Sequence, residues 1–444
     1  MMPRALVASY ASLPLIVGCF APAQDVQCVE DANCNRFSGG FCHTNIETGN
    51  RWCKYPDSEC SSGYRYSDLD VGDGVSATCV AADPYVPPRP SVENGQRADL
   101  VLGQEIFTTA DNNHGGLSAR SLWSPQGVAI DENDRLWIAD RMNHRALMWS
   151  PAPPTSFAAA ALVVGSDTFT TTSYTCTGPA ALAEPIAVAA RAGKLLITSC
   201  GRVMIWNPTP TTNGSAASIV LGQASFTGGS VGNGAADLNE PSGVWTDGTR
   251  VAVADTRNSR VLIWTSFPTT NKQPADLVLG QPDFGMSGCP RPPSGATMCA
   301  PRAVYSDGVR LFVADTQNDR VLVWRSFPTR NGQAADFVIG QPDMTSQVNG
   351  LGPSRLVTPW DVTTAGDHLF IADYDNLRVL EFSPIPTESG ASAVSVLGKP
   401  NFETNSYGAS SQTNFNSPLR LVVGGNKLYV AASGNRVLRF DLKL

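Results

Sequence analysis

Short apolar runs of four to six residues recur from Ala98 to Leu444, each bounded by clusters of Gly, Pro, Asn and Asp. Val, Ile, Leu, Trp and Phe dominate them, and none holds a helical period for a useful length, so each is predicted to be a β-strand. In the stretch that starts at Pro241 the pattern predicts four. Strand a falls at 243–245, strand b at 251–254, strand c at 260–264 and strand d at 276–279.

The quartet repeats six times, with a period of about 58 residues. Its strand-d phrase stands at Val101–Gln104, Val164–Ser166, Val220–Gln223, Val278–Gln281, Val338–Gln341 and Val396–Lys399. Its strand-c phrase stands at Arg145–Trp149, Arg202–Trp206, Arg260–Trp264, Arg320–Trp324, Arg378–Phe382 and Arg436–Phe440. A four-stranded antiparallel sheet with two apolar faces needs a neighbour on each side, and radial packing supplies both. The fold is therefore predicted to be all-β, a six-bladed β-propeller. The region opens with a strand d (98–104) that has no partners before it, and the sixth unit stops after its strand c. The first strand is predicted to complete the last blade, which removes two open sheet edges.

The phrase A-D-T-x-N-x-R-V-L-x-W, preceded by P-x-G-V, resembles the NHL repeat. It is carried by Asp140, Asn143 and Arg145; by Asp255, Asn258 and Arg260; by Asp315, Asn318 and Arg320; and by Asp373, Asn376 and Arg378. The resemblance covers residues 98–444 and implies the same six-bladed ring. Blade 2 (Thr198-Ser-Cys-Gly-Arg202) and blade 6 (Ala431-Ala-Ser-Gly-Asn-Arg436) depart from it, with shortened b–c turns that lack the Asp. A trio repeated in four blades reads as scaffold: the short acid satisfies turn backbone, and the Arg bonds to the carboxylate or to carbonyls. The apolar residue three before each strand-a proline (Leu122, Leu182, Leu238, Met298, Leu356, Phe415) is expected to fill the gap between blades.

The first hundred residues differ in kind. Residues 1–18, with Arg4 followed by a mostly apolar stretch, read as a secretory signal too short for a membrane span. The ending Ile16-Val17-Gly18-Cys19 resembles a bacterial lipobox, so Cys19 is expected to be acylated; cleavage near Ala21–Ala23 is the alternative. Eleven cysteines less Cys19 leave ten. Cys28, Cys34, Cys42, Cys53, Cys60 and Cys79 lie in a module, residues 19–83, with too little aliphatic content for a core, so disulfides among them are expected. Their spacing lacks paired zinc knuckles, and the calcium-like phrase Asp68–Asp73 lacks its closing Glu. A proline-rich linker (84–97) leads to the ring (98–444).

The other four cysteines bear on the ring. Cys176 lies in a d–a loop and Cys200 in a b–c turn, which emerge on one face, so a Cys176–Cys200 bridge is expected to replace the missing turn network of blade 2. Cys289 and Cys299 are expected to pin a single d–a loop.

Charge and chemistry narrow the function. A net charge of −7 without basic runs argues against nucleic acid. His114 and His144 fall on one face and His368 on the other, so no three-histidine metal site is expected; no nucleophile elbow or phosphate loop occurs. No cofactor and no metal are expected. After each strand-a proline come Gln126-Gly127, Ile186-Ala187, Ser242-Gly243, Arg302-Ala303, Trp360-Asp361 and Leu419-Arg420. The second of each pair is small in four blades, and Asp361 and Arg420 break the rule. With Gln126, Ser242, Arg302 and Trp360 they are the candidate ligand site at the channel mouth, against the alternative of an Asp361–Arg420 pair that only fills the channel. The preferred reading is an exported, lipid-anchored monomer that binds a protein, peptide or glycan through its d–a/b–c face. The alternatives are a lactonase-like hydrolase or lyase at the channel mouth, and a structural surface protein.

Overall fold

The computed structural model of the protein describes residues 41–44, 51–56, 64–66 and 90–444, and it divides the chain into two compact units, 1–87 and 88–444. In the first unit the strands Phe41–Thr44, Arg51–Pro56 and Tyr64–Tyr66 form one antiparallel sheet in that order. Cys53 is buried there and disulfide-bonded. The signal segment, Cys19, the loop at 68–73 and the pairing expected of Cys28, Cys34, Cys60 and Cys79 lie outside the described residues.

The second unit is a six-bladed β-propeller. Blade 3 shows its grammar: strand a is Pro241–Thr246, b Val251–Asp255, c Arg260–Trp264 and d Leu277–Leu279, each antiparallel to the next. Strand a begins two residues earlier than the apolar pattern predicts. The ladder reaches back to Pro241 through a register shift, a bulge that tolerates a residue without an N–H. Blades 1, 5 and 6 have the same shift after Pro125, Pro359 and Pro418. The remaining a strands are Pro125–Ile130, Val188–Arg191, Ala303–Ser306, Pro359–Ala365 and Pro418–Gly424. In blade 6 the fourth strand is Leu100–Leu102, paired with Arg436–Asp441 through Val437–Leu102 and Arg439–Leu100. The ring is closed by its own first strand.

Apolar side chains pack between neighbouring blades. Trp137, Ala146 and Val164 of blade 1 meet Ile197, Met204 and Val220 of blade 2 around Leu182. Leu182 and its five counterparts are at most 1% exposed, as befits inter-blade fillers. They also explain the glycine in V-L-G-Q. Gly340 has φ +89°, and a Cβ built on it would lie 2.5 Å from Leu356 Cδ1; no other residue fits both the conformation and the contact. The tryptophans that end strand c turn their indole N–H onto the c–d loop, for example Trp264 Nε1 to Gln273 O at 3.0 Å and Trp324 Nε1 to Gln333 O at 3.0 Å.

Candidate functional site

The b–c turns and d–a loops share one face because strand direction alternates, and the acid–amide–arginine trio ties them together. In blade 4, Asp315 Oδ1 accepts from Cys299 N at 2.7 Å, while Oδ2 accepts from Asn318 Nδ2 and Arg320 Nε, each at 2.8 Å. Arg320 Nη2 donates to Ser294 O and Thr297 O at 2.9 Å. Blades 1, 3 and 5 repeat the arrangement. The glutamine of V-L-G-Q adds a brace: Gln341 Nε2 donates to Asp319 O at 2.9 Å and Val348 O at 3.1 Å. The aspartate, asparagine, arginine and glutamine side chains are buried and, Asn318 Oδ1 apart, hydrogen-bonded, so they hold the face and leave its chemistry to others.

Cys176 and Cys200 form a disulfide with Cα atoms 5.7 Å apart, and Cys289 and Cys299 one with Cα atoms 4.6 Å apart. The expectation that the first bridge replaces the missing turn network needs correction. Ser199 takes over half of the aspartate's work: its Oγ accepts from Ala183 N at 3.0 Å, as Asp140 accepts from Trp123 N in blade 1. In blade 6 Ala432 holds the aspartate's place opposite Arg436, and Ser433, one residue on, accepts from Ser417 N at 3.1 Å. Neither serine reaches the arginine of its blade.

At the axis the six candidate residues separate into two groups. Arg420 is buried and crosses from blade 6 to donate to the carbonyls of Ser242, Arg302 and Trp360, the second at 2.8 Å. Its Nη1 lies 3.6 Å from Asp361 Oδ1, and Asp361 Oδ2 accepts from Leu421 N at 2.7 Å. Burial pushes the Asp361 carboxyl up to about 6, against the pull of Arg420 and two backbone N–H groups. Burial likewise lowers Arg420. This pair is a plug. The channel of about 360 Å³ on its far side runs along the a strands to the a–b turns at Asp247 and Asp307, so Arg420 and Asp361 line a channel that opens on the opposite face. Trp360, Arg302, Ser242 and Gln126, which the sequence groups with them at the mouth, do not line this channel.

The second group faces the d–a/b–c side. Trp360 stacks on Tyr374, with ring centroids 4.1 Å apart and planes 7° from parallel. The Arg302 guanidinium lies 4.4 Å from the Trp360 centroid, a cation–π contact. All three side chains are partly exposed. Burial, then the nearby Arg420, holds Arg302 below the usual arginine range. Its neighbours Arg141 and Arg257 are paired with Glu184 and Glu240, whereas no carboxylate stands within ion-pair distance of Arg302 among the described residues. Ser242 is buried, sharing a hydrogen bond with Thr256 and donating to Arg302 O at 3.2 Å. Gln126 is buried in blade 1 and has no bond to this group among the described residues. The sequence did not flag Tyr374, although a signal existed: it stands where Thr256 and Thr316 stand in the A-D-T phrase of blades 3 and 4.

Around this stack each d–a loop presents one large exposed apolar side chain: Ile106, Tyr174, Val231, Met286, Val348 and Tyr407, all at least 50% exposed. Only Val309, in an a–b turn, and Leu444 share that property elsewhere among the described residues. Among those residues, no group of three or more His, Cys, Asp or Glu is arranged to hold a metal ion. His368, at the start of its b strand, shares a 2.8 Å hydrogen bond with the buried Glu381.

Comparison with known families agrees with the repeat. The NHL repeat model matches residues 122–145, from the inter-blade leucine of blade 1 to the arginine of its trio. No curated protein matches the chain. Among solved structures, the chain is similar to the computationally designed Ika8 protein, at 9% identity over 71% of this chain and 70% of that one, with a TM-score of 0.36. It is also similar to the WD40 β-propeller domain of Doa1, at 10% identity over 80% of this chain and 97% of that one, with a TM-score of 0.44.

Proposed function

We propose that the propeller is a binding module whose d–a/b–c face docks a protein or peptide segment carrying a carboxylate, anchored at Trp360, Tyr374 and Arg302. The observation that carries this reading is the asymmetry between the two faces: one exposed apolar side chain on every d–a loop, centred on a half-exposed aromatic stack. An apolar ring around an aromatic and arginine centre matches the composition of protein-binding hot spots. Arg302 selects the charge of the occupant, because it stands at the aromatic stack with no carboxylate partner among the described residues. The plug beneath it, Arg420, fixes the floor. A hydrolase or lyase reading would need reacting groups gathered at this mouth, and the candidate carboxylate Asp361 faces the other side.

The protein is further read as exported by residues 1–18 and held at a bacterial cell envelope through acylated Cys19, acting as a monomer. Disulfides at Cys176–Cys200 and Cys289–Cys299 support an oxidising compartment. A displayed random-peptide library with free C-terminal carboxylates tests the binding reading. Peptides selected by the unaltered protein should lose about 30-fold or more in affinity for Trp360→Ala, the loss typical of a buried aromatic anchor. Selection of no peptides, or of peptides indifferent to Trp360, would overturn it.

A further inference from the structure

We infer that the fully buried guanidinium groups of Arg202 and Arg436 each hold a small monovalent inorganic anion of halide size, in the role an aspartate fills in the other four blades. The ring supplies its own control. In blades 1, 3, 4 and 5 the arginine Nε donates to Asp140, Asp255, Asp315 or Asp373 at 2.7–2.8 Å, with both side chains 0% exposed. In blade 4 the Nη2 of the same arginine is satisfied by Ser294 O and Thr297 O. Charge is balanced and the donors are used.

Arg202 and Arg436 are equally buried at the same register of strand c. Yet Nε and Nη2 of Arg202, and Nε of Arg436, meet no acceptor. The one hydrogen bond of Arg202 goes to Phe226 O at 2.7 Å, and those of Arg436 go to Phe107 O and Asn414 O. No carboxylate is paired with either among the described residues. Burial lowers both, Arg436 to about 10, which leaves it protonated at neutral pH. A buried cation without counter-charge is costly, and an unpaired buried donor adds to that cost. Water would satisfy the donors alone, whereas an anion satisfies donors and charge together.

Both places differ from the other four blades in what surrounds the arginine. In blade 6, Ser410 Oγ and Arg436 Nε both stand within 4 Å of where a Cβ on Gly434 would lie, so a hydroxyl and the unpaired guanidinium N–H flank a residue that has no side chain. In blade 2, Gly178 and Ala181 stand where Ser294 and Thr297 stand in blade 4, but their carbonyls do not take the arginine. They line an open hollow of about 350 Å³ with Asp167, Thr175 and Thr177.

Thermal unfolding at constant ionic strength tests this, comparing sodium chloride or bromide with sodium gluconate, whose anion is too large for the site. Replacing gluconate by about 200 mM halide is expected to raise the midpoint by roughly 2–4 °C. The Ser199→Asp, Ala432→Asp double variant places carboxylates at the register positions that face Arg202 and Arg436, and is expected to unfold at the higher midpoint in both salts, with the halide effect gone. Equal midpoints in gluconate and halide, or a full halide effect in the double variant, would overturn the inference. Should the double variant fail to fold, bromide-soaked crystals of the unaltered protein decide: anomalous peaks beside Arg202 and Arg436 support it, and water alone at both places, or an adventitious ion only at the surface, refutes it.

Discussion

Asp361 carries a buried carboxyl whose protonation is coupled directly to folding. Its folded value of about 6 lies above the ordinary carboxylate range, so between about pH 4 and 6 the native protein keeps a proton that the unfolded chain releases. The stability this group contributes is present in full at the acid end and is lost as pH rises through 6. Relative to Asp361→Asn, the unaltered protein should therefore lose up to about 3 kcal/mol of stability from pH 4 to 7, two units at about 1.4 kcal/mol each. Urea unfolding of both proteins across that range checks the sign, and a constant difference would contradict it. Glu381 is a different case. Buried in strand c of blade 5, it accepts from Ser91 N at 2.6 Å, Ser91 Oγ at 2.7 Å and Val92 N at 3.2 Å. Glu381→Ala would leave those donors unpaired inside the protein, and a loss of about 2–4 kcal/mol is expected in denaturant unfolding.

At the scale of the element, the V-L-G-Q turn and the two bridges set the loops of the d–a/b–c face. Gly340→Ala forces a Cβ to within 2.5 Å of Leu356 at positive φ, so it is expected to cost about 2–4 kcal/mol, read as a lower urea midpoint. Removing Cys176–Cys200, which spans 24 residues, is expected to cost more than removing Cys289–Cys299, which spans 10, because the longer loop gains more freedom when unfolded. Unfolding of the two double Cys→Ser variants orders them. These elements were legible in the sequence because they repeat: strands, blade closure, inter-blade leucines and the cysteine pairs all follow from period and parity. What escaped was written once. Glu381 is the one acid where Met148, Ile205, Ile263, Val323 and Arg439 stand in the other c strands, and its partner Ser91 lies 290 residues away. Arg420 announced a charge near the axis, but a sequence cannot say that it reaches three other blades and thereby divides the candidate site into a plug and an exposed stack.

For the whole molecule, closure by Leu100–Leu102 leaves a ring with two unlike faces. On one, the a–b turns surround a channel stopped by Arg420; on the other, six loops each lift an apolar side chain around Trp360 and Tyr374. We propose binding at the second face, with Arg302 choosing a carboxylate. The most direct test measures the affinity of one library-selected, carboxylate-ended peptide for four proteins: unaltered, Trp360→Ala, Arg302→Gln and the opposite-face variant Val309→Ser. The account predicts losses of about 30-fold for the tryptophan and about 10-fold or more for the arginine, with no change for Val309→Ser. Equal affinity for the first three proteins, or a loss confined to Val309→Ser, would contradict it.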